Sequence, residues 1–164
     1  MTTKQAAEQP GQSSRWTDLG RILVAIDGSP SSSDAIELAV QMAIRHHSVV
    51  WFLHVAPLID VEPSINVDAP AVALPHQSSR HERAILDDAA AIATSHGVVA
   101  QTALAAGNAA AEIVTFAATN DADVIMIGSH GHGLAASALL GSVSRRVLQT
   151  ADRPVLIVRG AERT

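Results

Sequence analysis

From Arg21 onward, short and wholly apolar runs alternate with longer stretches of helical period, and this alternation constrains the fold more than any other feature. The run Ile22-Leu23-Val24-Ala25-Ile26 is apolar at every position, which suits a strand covered on both faces and excludes one with a wet face. It stops at the turn residues Asp27-Gly28-Ser29-Pro30. Ser31, with Asp34 three residues on, resembles a capping box, and Asp34 and Glu37 suit the first turn of a helix. Ala35, Leu38, Ala39, Met42 and Ala43 then recur at helical spacing as far as His46.

The rhythm repeats downstream. Residues 48–55 read as a strand rich in β-branched and aromatic types, and residues 80–96 as a helix stopped by Gly97. A weaker, alanine-diluted strand follows at 98–105, then a helix capped by Asn108 and running to about Thr119. Residues 124–127 form a fourth strand, 142–150 a short helix and 155–158 a last strand. The order βαβαβαβαβ with apolar strands requires parallel pairing through right-handed crossovers, with helices on both faces. The expected fold is therefore α/β: one doubly wound, five-stranded parallel sheet over residues 21–160. A chain of 164 residues has material for one such core.

Two stretches fall outside this rhythm. Residues 1–20, rich in Gln, Ser, Pro and Gly, read as a loosely packed tail without the apolar run of a targeting signal. Residues 56–79 carry Pro57, Pro63, Pro70 and Pro75 and no sustained period, the mark of a lid, a partner-binding loop or an insertion. No apolar stretch is long enough for a membrane span, so the expected location is the cytoplasm, away from membranes.

Composition removes several chemistries. With no cysteine there is no thiol catalysis and no Cys-ligated metal. The single lysine is Lys4, so the body has none for a Schiff base or a P-loop. A net charge of −5 and 2% aromatic residues argue against a nucleic-acid partner. There is also no tyrosine and no G-x-S-x-G nucleophile.

In doubly wound sheets, ligands bind beyond the carboxyl ends of the strands, where the strand order reverses. Two loops lie there: Asp27-Gly28-Ser29, and the stretch from Gly128-Ser129-His130-Gly131-His132-Gly133 to Gly141-Ser142. Glycines let backbone amides close on phosphate oxygens, and Gly141-Ser142 opens a helix whose free N–H groups favour an anion. Neither a Walker motif nor the register of a Rossmann fingerprint is present.

Gly128-x2-Gly131-x9-Gly141-Ser142 resembles the nucleotide-binding signature of the universal stress protein family. The flanks ILVAIDGS, LHV at 53–55 and GSVSRRVLQTADRPVLIVR resemble it too, so the likeness spans about 21–159. The resemblance implies the strand order 3-2-1-4-5 and ATP, or another adenine nucleotide, as ligand, with Mg2+. It implies that Ala25 and Val55 wall the adenine and that Asp27 lies near the ribose or the metal-bound phosphates. Ile127, Gly128, Gly131, Gly141, Ser142 and Val143 would enclose ribose and phosphates. Where the family often carries a basic residue this chain has His132, which implies weaker or pH-dependent phosphate affinity.

Plainer roles stand beside these. Asp27 is also a turn former, Ser142 and Ser144 are also capping residues, and His54 in its strand reads as a satisfied core imidazole. His130-x-His132 has a metal reading, but flexible-loop histidines more often face solvent or phosphate. Arg145 or Arg146 is a candidate partner for Asp152. The expected role is a nucleotide-dependent stress-response module and not a fast enzyme. Slow ATP hydrolysis or self-phosphorylation is one alternative, and a nucleotide-free scaffold acting through 56–79 is another. The apolar last strand, 154–158, has no lysine or inward charge to discourage pairing and is the expected homodimer edge, as the family resemblance also implies.

Overall fold

The computed structural model describes residues 19–57, 78–131 and 140–160. Most of the expected tail and insertion, and His132, lie outside these residues.

Strand β1 (Arg21–Ala25) sits at the centre of the sheet because every residue after Arg21 is buried, as an apolar run bonded on both edges must be. It pairs in parallel with β2 (Val49–Ala56) on one side and β4 (Val124–Gly128) on the other, Ile22 lying opposite both Val50 and Val124. β3 (Ala100–Ala106) continues beyond β2, and β5 (Val155–Val158) beyond β4. The order is β3-β2-β1-β4-β5, the topology expected from the sequence.

Successive side chains along a strand point to opposite faces, so the sheet has two apolar surfaces to cover. Ile22, Val24, Phe52 and Met126 face α1 (Pro30–His46) and α2 (Ser78–Ser95). Leu23, Leu53, Ile125 and Ile127 face α3 (Ala109–Thr119) and α4 (Ser142–Thr150). With few aromatic residues, close approach is achieved by alanines: Ala35, Ala39 and Ala43 of α1 and Ala110 and Ala117 of α3 are all buried. Trp51 and Phe116 add one edge-to-face contact, at 5.4 Å between ring centroids, that seats α3 on β2.

Local details depart from the sequence expectations in three places. The N-cap of α1 is Ser29, not Ser31: its hydroxyl accepts from the Ser32 N–H, and Pro30 occupies the first helical position, where its missing N–H costs nothing. Asp34 and Glu37 consequently lie beyond the first turn. The buried stripe of α1 is Ala35, Ile36, Ala39, Val40 and Ala43, while Leu38 is 39% exposed. Asp152 pairs with Arg153, at 3.7 Å, in place of either arginine of α4; Arg145 instead donates to the Leu140 carbonyl. Asn108 caps α3 as expected, accepting from the Ala111 N–H at 3.1 Å, and Gly97 closes α2 with φ +72°. Among the described residues, no helix is long and apolar enough to cross a membrane.

Candidate functional site

The strand order reverses between β1 and β4, and the chain leaves both strands over the same end of the sheet. A pocket of about 360 Å³ opens there. Its floor is aliphatic: Ala25, Leu53, Val55 and Ile127 from three strands, closed by Ile113 of α3. Its rim is backbone and hydroxyl: Gly128, Gly131, Gly141, Ser142 and Ser144. Asp27 stands where floor meets rim.

Asp27 is held by its own turn. Its Oδ1 accepts from the Ser29 N–H at 2.9 Å, its N–H donates to the Ser32 hydroxyl, and Gly28 takes φ +79°, a conformation that favours glycine. The turn-forming role is thus real, and it aims the carboxylate toward the second loop. A β-carbon built on Gly131 would lie 2.6 Å from Asp27 Oδ2. The absence of a side chain at 131 is what lets the two loops meet.

The other two motif glycines serve different ends. A β-carbon on Gly128 would overlap the Ser31 hydroxyl and stand 2.9 Å from the Ser31 carbonyl carbon and 3.0 Å from the Ser32 nitrogen. Gly128 is therefore bare so that the first turn of α1 can cross the end of β4. Gly141 is the N-cap of α4, with no side-chain hydrogen bond at that cap. Its N–H donates to the Ser129 carbonyl at 2.7 Å, and the Ser144 hydroxyl reaches the same oxygen at 3.1 Å. The N-terminal turns of α3 and α4 both reach the pocket, through Ala109 and through Ser142 and Val143. Helix N-termini present N–H groups and a partial positive charge to an anion.

Nine of the ten residues named from the sequence line this one pocket: Ala25, Asp27, Val55, Ile127, Gly128, Gly131, Gly141, Ser142 and Val143. The tenth, His132, is outside the described residues. Sequence reasoning passed over Leu53, Ala109 and Ile113. Alternation along β2 signals Leu53, since it shares a face with Val55; Ala109 and Ile113 become visible only when the topology sets α3 against that face. His130 also lines the pocket, its Nδ1 2.9 Å from the Ser129 hydroxyl. His54 is a core imidazole: it is 9% exposed, and Nδ1 lies 2.8 Å from the Ile26 carbonyl oxygen.

Among the described lining residues there is one carboxylate, one imidazole and no lysine or arginine. Residues 132–139 carry no lysine or arginine either. No group of three or more His, Asp or Glu side chains among the described residues could hold a metal ion. Chemically, the site can sandwich a flat apolar group among aliphatic side chains and meet an anion with amides and hydroxyls.

Comparison with known proteins accords with this arrangement. The family model for the universal stress protein family matches residues 19–159. The chain is 34% identical over 145 residues to universal stress protein YxiE of Bacillus subtilis, covering 85% of this chain and 98% of that one. Mycobacterial relatives are longer, and the chain spans about half of their length. Among solved structures, a universal stress protein in complex with cAMP superposes with a TM-score of 0.67 at 23% identity, covering 88% of this chain and 99% of the other. The universal stress protein of Archaeoglobus fulgidus in complex with dAMP superposes with a TM-score of 0.63, also at 23% identity, covering 85% and 97%. The family-model match over residues 19–159, with a relative 34% identical over 145 residues, makes the chain a member of the universal stress protein family.

Proposed function

We propose that this chain binds an adenine nucleotide, with ATP and Mg2+ as its cellular form, and acts in the cytoplasm as a nucleotide-dependent regulatory module in the stress response. The observation that carries the reading is the division of one pocket into an aliphatic floor and an amide-and-hydroxyl rim, with Asp27 between them. Floor residues Ala25, Val55 and Ile127 suit adenine, and the rim suits ribose and phosphates. The structures of relatives with cAMP and with dAMP support an adenine nucleotide of some kind.

Mg2+ is commonly held by one or two carboxylates together with substrate phosphates, and the single carboxylate of this lining meets that requirement. Asp27 would hold the ion, which would offset the charge of a triphosphate in a pocket whose described lining has no lysine or arginine. Nucleotide binding, and not turnover, is the activity this reading assigns to the site. The module works as a homodimer joined along β5, whose four residues are all partly exposed on an edge strand.

Mass spectrometry of the small molecule released from freshly purified protein, followed by titration with ATP, AMP and cyclic AMP, tests this reading. ATP binding that weakens on chelation of divalent cations is the expected result. Absence of binding to all three ligands overturns the reading and favours a scaffold.

A further inference from the structure

The start of the glycine loop is gripped from both sides. From the α4 side, the Gly141 N–H and the Ser144 hydroxyl take the Ser129 carbonyl. From the α1 side, the Ser31 hydroxyl and, at 3.3 Å, the Ser29 hydroxyl take the His130 carbonyl, 99 and 101 residues away in sequence. Both serines are buried. Two hydroxyls on one carbonyl oxygen, both withdrawn from water, exceed what capping α1 requires, since Ser29 alone caps it.

The direction of that carbonyl has a consequence. A peptide group is planar and trans, so its C=O and N–H point in opposite directions. Drawing the His130 carbonyl toward α1 turns the Gly131 N–H away from α1. Gly131, lacking a β-carbon, offers little resistance to rotation of this peptide, so something else must choose its orientation. We propose that Ser31, assisted by Ser29, is a positioning residue for the anionic end of the ligand: it orients the His130–Gly131 peptide so that an N–H, not a C=O, meets the phosphate. The bare Gly128 is part of the same device, because a side chain there would occupy the space of the Ser31 hydroxyl. The inference rests on the nucleotide reading above and adds the group that sets the polarity of its phosphate side.

The test is Ser31→Ala, with Ser29→Ala and the double variant, titrated with AMP and with adenosine, which lacks the phosphate. AMP affinity is expected to fall about tenfold in Ser31→Ala and further in the double variant, as when a hydrogen bond to a charged group is lost. Adenosine affinity stays within about twofold of wild type, because the aliphatic floor is untouched. Amide exchange of Gly141 in the ligand-free protein reads the loop without any nucleotide, and it is expected to quicken in Ser31→Ala. An equal loss for AMP and adenosine, or unchanged AMP affinity with unchanged exchange, overturns the positioning role while leaving nucleotide binding intact. Wild-type protein that binds neither ligand overturns the nucleotide reading itself; quickened exchange would then still support Ser31 as the group that orients the loop, and unchanged exchange would remove that role too.

Discussion

The two ends of the sheet are built from different chemistry. At the amino end, charges are paired: Arg21 and Arg153 each stand 3.8 Å from Asp121, Arg153 also approaches Asp152, and Asp123 accepts the Arg21 N–H at 2.8 Å. At the carboxyl end, cohesion comes from serine hydroxyls, backbone amides and missing β-carbons around one carboxylate. Hydroxyls and amides can meet an anion without carrying a formal charge of their own. The amino end has no such task, and ion pairs can accumulate there. The same fold thus gives its two ends different chemistry.

The strongest way to break this contrast is at Gly128. A side chain there strikes backbone atoms of α1 at about 3 Å, which cannot swing aside as a side-chain tip would. Gly128→Val should destabilise by roughly 3 kcal/mol or more. The measurement is a thermal melt, in which a drop of about 10 °C is expected for a chain of this size. An unchanged melting temperature would show that Gly128 is not needed for packing.

Gly131→Val separates the two roles of the motif. The atom its side chain meets is Asp27 Oδ2, the tip of a side chain and not backbone. The fold should survive with a melting temperature within a few degrees of wild type, while ATP affinity falls about a hundredfold, equivalent to about 2.7 kcal/mol. Titration calorimetry beside the melt decides it. Gly141→Val presses instead on the Ser129 carbonyl, at 3.3 Å, and should lower both affinity and stability.

These two glycines also show what was legible beforehand. The five strands and four helices of the described residues could all be read from the chain, because runs such as Ile22 to Ile26 have no polar face and α4 is bounded by Gly141 before it and Pro154 after it. Asp27 and the motif glycines stood out because they follow the carboxyl ends of strands, where doubly wound sheets bind ligands, and because their spacing resembles the family signature. What could not be read was division of labour. Gly128 and Gly131 look alike in sequence, and only the crossing of α1 over β4 shows that Gly128 is bare for packing. Ser31 reads as a capping residue, yet it lies inside the first turn and its partner is a carbonyl 99 residues on. The pairing of Arg153 with the turn before β4 was equally hidden, since periodicity says nothing about which charge meets which across the sheet.

The amino end answers to smaller perturbations. Arg153 is 22% exposed and donates to the Ala122 carbonyl at 2.8 Å while facing two aspartates. Arg153→Ala should cost about 1–2 kcal/mol, chiefly by stranding that carbonyl, and should leave nucleotide affinity unchanged. A change in affinity would deny the separation of the two ends. On the sheet's edge, Leu156→Lys should shift the protein from dimer to monomer in sedimentation at tens of micromolar while each pocket stays complete, since charge on an edge strand opposes pairing. A wild type that sediments as a monomer would remove the dimer.

The smallest effect is expected at Arg21. Its guanidinium is 52% exposed, its partner Asp121 is 76% exposed, and the pair is separated by 3.8 Å. An exposed pair at that distance gains little over its interactions with water, and immobilising a long side chain costs entropy. The side chain also donates to the Asn120 carbonyl at 3.2 Å, but that carbonyl can turn to solvent when the donor is removed. At this end β1 is held by the Arg21 backbone N–H bonded to the Asp123 carboxylate and by the Asp123 N–H bonded to the Arg21 carbonyl, and truncating the Arg21 side chain leaves both bonds in place. Arg21→Ala should therefore change stability by about 0.5 kcal/mol or less, and raising the salt concentration should erase even that difference. Asp123→Ala removes the acceptor for the backbone amide and should cost more than Arg21→Ala. Urea melts of both variants at low and high salt give the comparison. The reverse ranking would mean that side-chain charge, and not the backbone bond, secures the amino end.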